Sequence, residues 1–133
     1  MVYNYLEHTA DILFEAEGDT FEEALEEAAA AMSNATVEKF KKKIEFEFEE
    51  KAKNIEELTV AVLSRLLSES EVEGLFPGGL KVLKFEEKTE NFRMKVKGWA
   101  GTGTQKADIK AVTYHMLKIE RNEKCKIRIL LDV

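Results

Sequence analysis

Two rhythms of apolar and polar residues run through this chain, and they divide it into helices and strands. Short apolar runs at Tyr3–Leu6 and Ile12–Phe14 come first, and "ILFEAEG" (12–18) alternates weakly, as a half-buried strand does. "DTFEEALEEAAAAMSNA" (19–35) then changes period. Phe21, Ala24, Leu25, Ala28, Ala29 and Met32 recur at helical spacing, and Thr20 with Glu23 has the spacing of a capping box. "KIEFEFEE" (43–50) returns to strict alternation, with Ile44, Phe46 and Phe48 on one face and Glu45, Glu47 and Glu49 on the other. A second helix is predicted from Asn54, capped by Asn54 with Glu57. Ile55, Leu58, Val62 and Leu66 form its buried stripe, broadened by Leu63 and Leu67.

"EGLFPGG" breaks the pattern, and Pro77-Gly78-Gly79 reads as a turn. Four strands are predicted after it: Leu80–Glu87, Phe92–Trp99, Ala111–Glu120 and Lys126–Asp132. "KTEN" and "RNEK" supply the hairpin turns. Strands near both ends, two helices between them and a run of hairpins imply an α+β fold. It is expected as a single domain over 1–133, one mostly antiparallel sheet of about six to seven strands with both helices packed on one face.

Composition narrows the class. The 133 residues are 44% hydrophobic and 35% charged, which suffices for one core. A net charge of −6 argues against a broad basic face for duplex nucleic acid, and no stable direct nucleic-acid binding is expected. The one cysteine, Cys125, lies in a strand-like run and excludes an internal disulfide framework. No segment resembles a membrane span or a signal peptide, so a cytoplasmic location with no membrane partner is expected.

The polar residues of "LEHTADI" (6–12) are what the apolar pattern does not ask for. Asp11, taken alone, is a turn carboxylate bonding its own backbone, and Glu7 and His8 add little by themselves. The far end changes the weighing. The sequence stops at "LLDV", so that Asp132, if Val133 ends the chain, lies one residue from an α-carboxylate. Two anionic groups at a strand end repel unless a cation sits there. Asp11, Asp132 and Val133 would together form an all-oxygen cluster suited to calcium or magnesium rather than zinc. Lys110, with Lys106 and Asp108 close by, follows "GWAGTGT" (98–104), read as a loop whose N–H groups are a weak candidate anion site. His115 reads as structural. With two histidines and no nucleophile motif, the chain is poorly equipped for acid–base catalysis.

Several of these segments together resemble one known family. "EHTADI", "GDTFEEALEEAAAAM", "NIEELTVAVLSRLL", "KAVTYH" and the terminal "LDV" occur in the order seen in archease and run through nearly the whole chain. The resemblance implies a non-catalytic partner of the RtcB-type RNA ligase of tRNA splicing and RNA repair. That partner promotes guanylylation of the ligase from GTP and its multiple turnover. It also implies a divalent metal, calcium foremost, held by Asp11, Asp132 and Val133, with Lys110 as a contact for phosphate or for the ligase. The segment before "KAVTYH" is shorter than is common in the family, and Asp108 stands where a Glu is usual. Two other readings compete. One is a small metal-dependent phosphohydrolase using Asp11 and Asp132. The other is an RNA-binding module presenting Arg93, Lys95 and Lys97 on one strand face, against which an ordinary solvated face is the simpler account.

Overall fold

The computed structural model describes residues 2–6 and 11–133. The elements run β1 (Val2–Leu6), β2 (Ile12–Gly18), α1 (Phe21–Thr36), β3 (Val37–Ala52), α2 (Ile55–Val72), β4 (Phe76–Lys88), β5 (Asn91–Gln105), β6 (Ala111–Arg121) and β7 (Cys125–Asp132). The α+β class, the two helices and the antiparallel pairing agree with the sequence pattern. The single sheet does not. The strands divide into a four-stranded sheet, β1-β2-β7-β6, and a three-stranded one, β3-β5-β4. Alternation says which face of a strand is buried, but not which strand it pairs with, so the division had no signature in the pattern.

Both helices start at the caps the sequence predicts, Thr20 and Asn54. The Glu23 N–H donates to Thr20 Oγ1 at 3.1 Å, and Glu23 Oε2 in turn accepts from the Asp19 N–H at 3.0 Å. At α2 the Glu57 N–H donates to Asn54 Oδ1 at 2.8 Å. The predicted stripes are the faces that pack: Phe21, Ala24, Leu25, Ala28, Ala29 and Met32 on α1, with Leu58, Val62, Leu63 and Leu66 on α2, are all buried. α1 lies against β2 and β7 of one sheet and β4 of the other. α2 lies against β3, β4 and β5 and reaches β6. Each helix therefore spans both sheets, and one core cluster joins Phe14, Ile127 and Ile129 to Phe48, Met94 and Val96. Burial of these side chains, at ~1.5–3 kcal/mol each, is what holds two separately hydrogen-bonded sheets together.

Strand ends depart most from expectation. Pro77-Gly78-Gly79 is not a turn; β4 already begins at Phe76, and the glycines sit in a register irregularity opposite Trp99 and Ala100. Side chains at Gly78 or Gly79 would run into the Trp99 ring, and at Gly78 into Phe40 as well. "GWAGTGT" is not a loop either. It is the second half of β5, paired with residues 38–46 of β3. A β-carbon on Gly101 would strike the Lys41 carbonyl, so the glycines are there to let strands approach. The two hairpin turns lie where predicted, with Lys88 opposite Asn91 and Arg121 opposite Cys125.

Candidate metal centre

β2 and β7 are the two central strands of the four-stranded sheet, and they pair antiparallel with Ile12 opposite Leu131. Asp11 precedes Ile12 and Asp132 follows Leu131, so the two aspartates occupy the same end of adjacent strands. β6 starts at that end too, with Ala111 opposite Asp132, and the Lys110 N–H donates to the Asp132 carbonyl at 2.7 Å. Leu13, Ile129, Leu130 and Leu131 are buried beneath this end and fix the strands that carry it. Asp11 is half-buried; Lys110, Asp132 and Val133 are exposed. Four residues singled out from opposite ends of the chain thus meet at one corner of the fold. Glu7 and His8 lie outside the described residues.

The donor set is what a hard cation takes. Residues directly opposite on antiparallel strands have β-carbons ~5 Å apart. Among the described residues neither Asp11 nor Asp132 enters an ion pair, and no group of three or more His, Cys, Asp or Glu side chains assembles. Two carboxylates on neighbouring strand ends, with the main-chain oxygens of Val133 next in sequence, are the hard oxygen donors that a calcium or magnesium ion takes, water completing its shell. The residues present fit such an ion.

The other candidates separate from this corner. The N–H groups of residues 98–104 belong to a strand rather than a loop, which removes the anion-binding reading. Lys106 closes the end of α1: its N–H donates to the Thr36 carbonyl at 2.7 Å and its Nζ to the Asn34 carbonyl at 2.8 Å. His115 is exposed in a bulge of β6, where pairing jumps from Thr113–Leu130 to Lys118–Arg128 and Met116 takes φ +61°. No periodicity in "AVTYHMLKIE" announces that bulge. Arg93, Lys95 and Lys97 do share the outer face of β5. Each faces a carboxylate on β3, however: Glu49 at 3.4 Å, Glu47 at 3.7 Å and Glu45 at 3.0 Å. That row is an ion-paired, solvated ladder rather than a free basic stripe.

The same arrangement of elements occurs in known proteins. The model of the Archease protein family matches residues 3–133. The chain belongs to the archease family. The archease of Pyrococcus furiosus is 36% identical over 126 residues, which cover 90% of this chain and 88% of that one. The solution structure of protein 1598 from Methanobacterium thermoautotrophicum superimposes with a TM-score of 0.82 at 27% identity, covering 98% of both chains. The crystal structure of an archease from Thermotoga maritima, described as a possible chaperone, gives 0.62 at 26% identity, over 96% of this chain and 94% of that one. The stretch matched by the archease model takes in both sides of the corner, Asp11 near its start and Lys110, Asp132 and Val133 near its end.

Proposed function

We propose that this archease-family chain is a non-catalytic activator of an RtcB-type RNA ligase in the cytoplasm. It promotes GTP-dependent guanylylation of the ligase, and repeated turnover in tRNA splicing and RNA repair. It works through a divalent cation, calcium foremost, held by Asp11, Asp132 and a main-chain oxygen of Val133. Family membership supports the accessory role. The single observation that carries the site is the register of Ile12 with Leu131, which puts two carboxylates on neighbouring strand ends without a cationic side chain paired to either among the described residues.

When bound, the ion supplies positive charge at an exposed corner, for nucleotide phosphates or for carboxylates of the ligase. The chain's own groups position that corner. Asp11 and Asp132 are held by the two central strands. Lys110 is fixed through its N–H to the Asp132 carbonyl, and its exposed ammonium meets a phosphate or carboxylate of the partner. The test is GMP loading of the ligase from labelled GTP with Asp11→Ala or Asp132→Ala in place of the parent chain. Loss of stimulation by variants that melt like the parent supports the proposal, and undiminished stimulation overturns the metal role.

A further inference from the structure

At the far end of the ion-paired ladder, the outer face of the three-stranded sheet changes character. Trp99 stands opposite Glu45 on β3 and Gly79 on β4, on the face that bears Lys97 and Lys95. Phe40 follows Lys39, whose φ of +58° marks a bulge between Glu38 and Lys41. That bulge turns Phe40 onto the same face. Both rings are seated on glycines, Trp99 over Gly78 and Gly79, Phe40 over Gly78 and Gly101. Both are half-buried, so each keeps part of its surface in water.

Lysines crowd the strand segment that carries Phe40. Lys39, Lys41, Lys42 and Lys43 are exposed within five residues of an edge strand, and exposed Lys81 faces Lys97 across β4 and β5. Among the described residues, ion pairs take up only Lys42 and Lys97, and both share the one carboxylate of Glu45. The Lys42 ammonium lies over the Trp99 ring, 5.5 Å from its centroid, and is the group a stacking base would displace from that face. A locally cationic field on a chain of net charge −6 is not the by-product of a basic protein. The large exposed apolar side chains lie elsewhere, at Val2, Tyr5, Val72, Leu83, Tyr114, Met116 and Val133. That leaves this patch without the apolar anchors an inserting membrane surface needs.

Flat rings for bases beside flexible ammonium groups for phosphates are the two components of single-strand platforms. We propose that this end of the three-stranded sheet binds single-stranded RNA, with bases stacked on Trp99 and Phe40 and phosphates met by the lysines of residues 39–43. The patch uses none of the residues of the carboxylate corner, and its argument does not depend on the metal. It amends the expectation drawn from net charge, since a small patch binds weakly without a broad basic face.

Trp99 is the chain's one tryptophan, so its emission reports on the site directly. Titration with an oligouridylate of about twelve nucleotides at low salt is expected to quench it, with Kd of order 10⁻⁵ M. The slope of log K against log salt should be roughly −2 to −3, for three or four phosphate contacts. Lys41→Glu with Lys43→Glu should weaken binding at least tenfold by anisotropy of a labelled oligonucleotide. Trp99→Phe should weaken it severalfold and Trp99→Leu more. Each variant is first shown to keep the parent melting curve. Unchanged emission and anisotropy up to about 1 mM nucleotide would overturn the proposal. So would equal affinity in the lysine variant, equal quenching by heparin, or preferential binding to vesicles of anionic phospholipid. Asp132→Asn should leave the RNA titration intact, and the lysine pair should still stimulate GMP loading without RNA, so each reading can fail alone.

Discussion

Replacing Asp132 by Asn should raise the melting temperature without calcium and abolish the rise that calcium produces in the parent chain. Opposed strand positions put β-carbons ~5 Å apart, and that spacing sets the scale for the two carboxylates beyond Ile12 and Leu131. At that distance two unit charges repel by ~1 kcal/mol in water and by ~3 kcal/mol at an effective dielectric of 20. Asp132 is exposed and Asp11 half-buried, so the lower figure applies, ~1 kcal/mol. Asn removes the charge and keeps a similar shape. The Lys110 N–H bonds the Asp132 main chain rather than its side chain, so the junction of β6 and β7 survives the change. For about 130 residues, 1 kcal/mol corresponds to roughly 3 °C. Calcium at a hundred times its Kd stabilises the parent by ~2.7 kcal/mol, or roughly 8 °C. Scanning calorimetry of both chains in chelator and in calcium should therefore show the variant melting ~3 °C above the parent in chelator and several degrees below it in calcium. A parent whose melting ignores every divalent ion, or a variant that gains as much as the parent, would refute the reasoning at its root.

Asn54→Ala removes the acceptor of the Glu57 N–H at the start of α2 and should lower stability by ~1 kcal/mol, read as a shift in urea midpoint with an unchanged slope. The pair of Arg121 and Glu87 gives a pH test. Arg121 donates two hydrogen bonds to Glu87, at 2.7 and 3.1 Å, and these hold the Glu87 carboxyl below its ordinary range. A carboxyl lowered by folding stabilises above its unfolded pKa and loses that contribution as pH falls through the folded value. Glu87→Gln should thus cost under about 1 kcal/mol at pH 7, because both side chains are 42% exposed and screened, and the gap to the parent should close below about pH 4. A gap that persists at pH 3 would place the effect in packing instead.

Local chemistry made part of this fold readable in advance. Thr20 and Asn54 announce helix starts because a side-chain oxygen one turn ahead of an orphan N–H has a short-range job. The stripe from Phe21 to Met32 and the alternation of Ile44, Phe46 and Phe48 announce faces, because period alone sets which side chains point together. The β5 segment "GWAGTGT" reads as a loop in sequence because glycine is as apt for a close strand crossing as for a loop, and only the Lys41 carbonyl lying against Gly101 tells the two apart. The β6 bulge at Tyr114–Met116 left no mark, since an extra residue in a strand changes pairing without changing composition.

The sequence by itself determined the elements, their buried faces and the list of oxygen donors at its two ends, because these follow from neighbours a few residues apart. Which strands share a sheet, and that Asp11 and Asp132 stand at one corner while Lys95 and Lys97 are matched by Glu47 and Glu45, are long-range facts. Only the tertiary structure decided them. Register is chosen by the common core that α1 and α2 press onto both sheets, and no segment contains that core alone.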